Sequence, residues 1–384
     1  MTLHETTEAA KKMVIGGVIG ITGIIAMVIV FRIGIIVKDI LFPPKSIPPN
    51  MAYGELAPIT FPSDGVQGSF TYDLNTPTGT LPEDLPDRLD VFPITPKLPG
   101  LNNLKLAKSK IEELGLITSL GVPVEENALE EDKYEWAEPI GIKRKVIFDI
   151  VSFDFSVKSD YIISLNALNA EHITNQEAAI ETVQTFLASI GLQPTDLDLA
   201  KTSIADKEKH YITTPKLYSI NTQNGTLEPA ESLSSTQVIR VDLYQKDITY
   251  DLDTGVKNSS GAIETVSVEY PILYPHPPYS TMSLMVASGI NEPEVVDADF
   301  VHKNINLTPE TVGVYPLKSV NDAYEELRQG KAYIAAFNGQ PNAQVLISDV
   351  YLAYYIDKEK QEYLMPIFVF EGKDGFFAYV SAIQ

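Results

Sequence analysis

From Leu352 to Gly372 the chain reads LAYYIDKEKQEYLMPIFVFEG. Two aromatic-rich runs flank five charged or polar residues, DKEKQ, which is the pattern of two β-strands joined by a solvated tip. Successive residues of a strand point to opposite faces, so Tyr354 and Tyr355 must diverge. In the second run Tyr363, Met365, Ile367 and Val369 share one face, and Leu364, Pro366, Phe368 and Phe370 share the other. Both faces are apolar. The hairpin is therefore either central and covered twice, or it leaves one face open for a partner. The open reading makes Tyr354, Tyr355, Tyr363, Pro366, Phe368 and Phe370 the candidate partner-binding residues. Pro366 has no amide proton to give to a ladder, which predicts an edge or a bulge. An edge is also where peptides are captured by strand addition.

Upstream, SVNDAYEELRQG predicts a helix able to cover one face of that hairpin. Ser319 is placed to cap it, Asp322 sits in the acid-favouring first turn, and Gly330 closes it. Val320, Ala323, Tyr324 and Leu327 form its apolar stripe. The same order recurs twice earlier. LNNLKLAKSKIEELG, ending at Gly115, precedes the strand patterns KYEWA and IKRKVIFDIVSFDFSV. TNQEAAIETVQTFLASIG, with Asn175 as cap and Gly191 as stop, precedes VIRVDLY, where Ile239, Val241 and Leu243 share one face. The expected architecture is α+β, with helix-plus-antiparallel-sheet units at 68–165, 166–310 and 311–384. The second unit carries a β-rich insertion that includes STMSLMVAS and VVDADFVHKNI.

Met13 to Phe31, MVIGGVIGITGIIAMVIVF, contains no charged side chain over 19 positions. At about 1.5 Å per residue it nearly crosses a hydrocarbon core of roughly 30 Å. Arg32 is placed to snorkel and the apolar run then resumes, so 13–37 reads as a transmembrane anchor preceded by a short tail, 1–12. No small-residue cleavage site follows, which argues against a removed leader. The basic residues flanking the span do not favour a cytoplasmic N-terminus. The brevity of the tail and the size of the polar remainder favour one, with the large C-terminal region extracytoplasmic on a single-pass cytoplasmic-membrane protein. Gly16 and Gly20 form GxxxG, and Gly23 extends that face, a spacing that permits self-association of two spans. Residues 38–67, with six prolines between Pro43 and Pro62, read as a semi-rigid stalk.

Five of the 29 basic and three of the 51 acidic residues lie in 1–45, which leaves the remainder with a net charge of −24. Such a surface is repelled by phosphate backbones and anionic headgroups, so nucleic acid is excluded as an expected partner. The chain has no cysteine, which removes disulfides, thiolate metal sites and thiol nucleophiles together.

The last unit resembles the C-terminal domain of YycI-type accessory regulators. The resemblance lies in Ala323, Tyr324, Leu327 and Gly330, followed by VYLAYY, YLMPIFVFEG and FFAYVSAI, and covers roughly 65 residues. The helix-then-hairpin units are also similar to the small PepSY fold. The phrase TYDLNTPTGTLP is similar to one in uncharacterised single-span bacterial membrane proteins. These resemblances imply an anchored extracytoplasmic regulator acting by protein–protein contact in the cell envelope, and they bring no catalytic residues.

A search for chemistry gives little. His4, His172, His210, His276 and His302 show no metal-ligand spacing, and GxSxG, SxxK and GxxxxGK[ST] are missing. The carboxylate pairs Asp196/Asp198, Asp251/Asp253 and Asp297/Asp299 can each face one way on a strand and hold a hard cation. In so acidic a chain, pairs also arise by chance. The expectation is a non-enzymatic contact protein with no catalytic residue, cofactor or metal, and with an envelope protein as partner. A peptide- or glycan-binding ectodomain is the alternative, and an envelope hydrolase with dispersed carboxylates ranks below it.

Overall fold

The computed structural model describes residues 49–95, 105–109, 125–129, 132–138, 141–173, 175–198, 215–257 and 263–383. The expected anchor at 13–37, with Gly16, Gly20 and Gly23, lies outside the described residues. Among those described, no helix is long and apolar enough to cross a membrane. The chain divides into a body, residues 49–250 and 267–384, and a second unit to which 1–48 and 251–266 belong. In the second unit the described element is the outer part of a two-stranded sheet formed by β10 (Ile248–Lys257) and β11 (Ile263–Tyr270).

The body is built on two nine-stranded sheets. The first is antiparallel throughout, in the order β3 (Glu125–Ala128), β4 (Lys133–Ala137), β5 (Lys145–Asp149), β6 (Phe155–Lys158), β14 (Pro293–Phe300), β13 (Met282–Ser288), β9 (Val238–Leu243), β7 (Lys216–Asn221), β8 (Thr226–Pro229). Its alternation assigns the faces. Ile239, Val241, Leu243, Leu284, Val286 and Phe300 pack against Ala179, Val183 and Leu187 of the 14-residue helix Gln176–Ser189. That helix starts as expected, with the Ala178 amide donating to Asn175 Oδ1 at 2.8 Å. It stops at Gly191, whose φ of 61° is open to glycine at no steric cost. On the opposite face Val238, Ala287 and Val296 pack against Tyr161 and Ala167.

The second sheet runs β1 (Thr71–Leu74), β18 (Gln344–Tyr355), β19 (Tyr363–Gly372), β2 (Arg88–Thr95), β15 (Asn304–Ile305), with β12 (Ile272–Leu273) on β18, β16 (Gly313–Pro316) on β2, and β20 (Phe376–Ser381) joining β19 to β17 (Tyr333–Ala336). The β18–β19 hairpin is its spine, and the sheet forks along β19. Tyr363 and Leu364 pair with β2, whereas Ile367 to Gly372 pair with β20. Pro366 sits at the fork. Its partner Tyr354 turns its amide away from β19, to Pro271 O at 2.8 Å. The backbone of Pro366 consequently faces the other way, where its carbonyl accepts from Ala382 at 3.1 Å. The missing proton thus falls where one neighbouring strand leaves and the next begins, not at an outer edge.

The expectation of three repeated helix-plus-sheet units is overturned. Strands make up 41% of the described residues and helices 16%. The strands also pair across the expected boundaries: β1 lies parallel to β18, and β2 pairs with β19. Alternation assigns a strand its faces but not its partner, and these partners lie more than 250 positions apart in the chain. The described part of the proline-rich stretch, 49–67, lies along this second sheet. The Met51 amide donates to Val314 O at 3.1 Å and that of Val66 to Ile334 O at 2.8 Å.

Candidate functional site

A cleft of about 1400 Å³ opens beside the spine hairpin. Its floor is the surface end of the Tyr363/Met365 face, with Tyr355 beneath. Its walls are residues 55–64, the loop from Pro275 to Thr281 with Arg240 behind it, and the hairpin tip from Asp357 to Glu362. A second cleft of about 1050 Å³ lies on the other side of the tip, and the two share Tyr53, Tyr363 and the tip itself.

Each wall has an evident support. Tyr53 donates its amide to Tyr315 Oη at 2.8 Å, and its ring centroid lies 4.6 Å from that of Tyr363. Phe61 stacks on Tyr333 at 5.3 Å, with planes 4° apart, and meets the edge of Tyr355 at 5.1 Å. His276 Nε2 lies 3.2 Å from Asp64 Oδ2, tying the 55–64 segment to the loop. Tyr279 of that loop faces two cations, Lys216 Nζ at 3.9 Å and the Arg240 guanidinium at 4.4 Å from its ring centre. Arg240 donates from Nε and Nη2 to the two oxygens of Asp242, each at 2.8 Å. Burial works against its charge, but the Asp242 carboxylate outweighs it and holds the guanidinium above its usual range.

The tip is anchored, although the sequence reads it as merely solvated. Asp357 is buried, and its Oδ1 accepts from the Lys358 amide at 2.6 Å. Gln361 Nε2 donates to the carbonyls of Tyr355 and Tyr363, both at 2.9 Å. Lys303, also buried, reaches across to donate to Glu359 O at 2.9 Å. Burial pushes the Lys303 amine down, against the opposing pull of Asp154, Asp357, Glu359 and Asp149. Lys303 and His302 occupy the short connection from β14 of the first sheet to β15 of the second. The same junction holds Asp196, which takes His302 Nε2 at 2.7 Å and a bond from Gln245 Nε2 at 2.7 Å.

The six candidate partner-binding residues separate clearly. Tyr354, Tyr355, Phe368 and Phe370 are no more than 1% exposed, and Pro366 is buried with them. Tyr354 packs with Phe92 and Leu364 on one face, Tyr355 with Tyr379 and Ile367 on the other. Phe370 is covered by Tyr324 of the helix Val320–Arg328. Only Tyr363 reaches the surface, half-buried, in the wall shared by both clefts.

No family model and no curated protein matches this chain. Among solved structures, an uncharacterised protein from Eubacterium rectale is similar over 83% of this chain and 90% of its own, at 10% identity and a TM-score of 0.35. A likeness that weak carries no argument.

Carboxylates of two of the pairs are already engaged. Asp297 and Asp299 hold Lys158 Nζ between them at 2.9 and 3.3 Å. Asp196 is engaged by His302, and Asp251 lies in the second unit. Among the described residues no cluster of three or more His, Asp or Glu is placed to hold a metal. His4 and His210 lie outside the described residues. What sequence reading missed are Arg240, Lys303 and the His302–Asp196 pair. For Arg240 a signal existed: in VIRVDLY the face opposite Ile239 and Val241 carries Arg240 and Asp242.

Proposed function

We propose that this chain is an anchored extracytoplasmic binding module that acts by contact, taking an extended polypeptide segment of a partner into the cleft between 55–64, the 275–281 loop and the hairpin tip. The observation that carries this reading is the cleft's own wall. Among the described residues none makes a backbone hydrogen bond to Glu55–Pro62, yet Ile59 and Phe61 pack into the core beside Tyr333 and Tyr355. The surface beside the cleft thus already holds a segment of chain by its side chains alone. The rings of Tyr53 and Tyr363 and the cations at Tyr279 offer the same means to a second segment, since aromatic and arginine side chains anchor most interfaces.

The test is hydrogen exchange on the full chain with extended peptides selected from a displayed library. Binding in the cleft slows exchange in the tip and at Ser280 and Thr281. Peptides that bind without protecting either wall would sink the reading.

A further inference from the structure

The second cleft, on the far side of the hairpin tip, leaves large apolar side chains exposed. Val151, in the turn between β5 and β6, is 37% exposed, and Leu129, just past β3, is 50% exposed. Both stand in the wall of this one cleft, with half-buried Ile94 and Ile147 and the buried rings of Phe155 and Phe300 also in its lining. A single exposed apolar residue is ordinary, but several from separate segments gathered in one concave surface mark a place that a partner covers. The turn also holds Val151 in place. The Val151 and Ser152 amides both donate to Asp149 Oδ1 at 2.9 Å, and the next residue, Phe153, is buried in the core. Val151 is thus presented before any partner arrives.

Charge says what that partner carries. Six carboxylates line the second cleft against four lysines, and one of those, Lys303, turns its ammonium into the tip, to Glu359 O at 2.9 Å. Asp132 and Glu362 are exposed among the six. The surplus, on a chain already strongly acidic, attracts lysine and arginine side chains and repels acidic ones. The two clefts meet at Tyr53 and Tyr363, whose ring centroids lie 4.6 Å apart, and they share the tip. We infer that they form one track: the partner's extended segment crosses the tyrosine pair into the second cleft, where an apolar side chain covers Val151 and Leu129 and basic side chains face the carboxylates. This rests on the first cleft taking such a segment.

Peptides selected on the full chain in detergent micelles test it. They come from two displayed random libraries, of about 7 and about 14 residues, roughly 23 and 46 Å when extended. The short peptide taken forward is one that slows hydrogen exchange at Ser280 and Thr281, and so lies in the first cleft. The long peptide carries lysine or arginine beside an apolar residue, and slows exchange both there and at the Val151 and Ser152 amides. It binds the Val151→Lys chain at least tenfold more weakly than the unaltered chain, whereas the short peptide binds the two alike. Leu129→Lys, on a separate segment, repeats that result, and the exchange readout needs no variant at all. Tyr363→Ala separates this inference from the reading beneath it. If Tyr363→Ala weakens both peptides, but neither lysine variant affects the long one and the Val151 turn stays unprotected, the single track is overturned and the first cleft stands. If Tyr363→Ala weakens neither, the first cleft falls and takes the track with it.

Discussion

His302 Nε2 lies 2.7 Å from Asp196 Oδ1 in the connection that passes the chain from one nine-stranded sheet to the other. Burial acts to raise the Asp196 carboxyl, but the hydrogen bond and charge of His302, helped by Gln245, win and hold it below its ordinary 3.8. A depressed carboxyl stabilises the fold at pH above its unfolded value, and that contribution is lost as pH falls through the folded value.

Asp196→Asn is accordingly expected to cost about 1–2 kcal/mol at neutral pH, discounted because the carboxylate is partly exposed. The gap between variant and unaltered chain should narrow below roughly pH 4, where the unaltered chain loses the same contribution. Urea titrations of both proteins from pH 3 to 7 measure it. A gap that stays constant across that range contradicts the assignment.

Lys303 behaves in the opposite sense from an ordinary ion-paired lysine. Burial lowers its amine below 10.5, so the unfolded chain holds the proton more tightly and this group's contribution to stability rises with pH between the folded and unfolded values. Lys303→Met should flatten that alkaline rise and should speed amide exchange in the tip by roughly tenfold, the effect of about 1.4 kcal/mol. Exchange rates there that match the unaltered protein would remove Lys303 from its role as anchor of the tip.

The aromatic hairpin is core. Phe370→Ala is expected to cost about 3–5 kcal/mol, the range for a buried phenyl ring. Ile290→Ala, at a side chain 79% exposed, should change stability by no more than about 0.5 kcal/mol. Comparable losses at the two positions would mean that the hairpin is not covered on both faces.

Calcium should leave the melting temperature unchanged at any practical concentration, because the Lys158 ammonium already stands between Asp297 and Asp299. A saturable rise with calcium, the signature of a ligand bound only by the folded state, would show that a cation displaces it.

How much of this was legible follows from the range of each signal. Local signals were read correctly: Asn175 and Ser319 cap their helices through their own side chains, and Tyr354 and Tyr355 diverge as a strand's period requires. Long-range pairing was not legible. RLDVFPIT reads as a strand by its pattern, but nothing in it names Tyr363 and Leu364 as neighbours. Reading units from contiguous stretches therefore produced three small domains where the chain interleaves its ends into one sheet. Pro366 shows the same limit in a single residue. Its lack of a donor predicts an edge or a bulge, and the structure has neither there but a fork inside the sheet. The cleft was hidden because its parts, Tyr53, Arg240, Tyr279 and Tyr363, come from four distant segments.

The measurement that bears most directly on the binding account is the affinity of one selected peptide for the full chain and for its Tyr363→Ala variant. Tyr363 is the one aromatic side chain of the hairpin candidates that reaches the surface, so its removal should weaken binding at least tenfold, about 1.4 kcal/mol, at a temperature where both proteins are fully folded. Equal affinities of the two folded proteins would contradict the cleft as the place where this chain meets its partner.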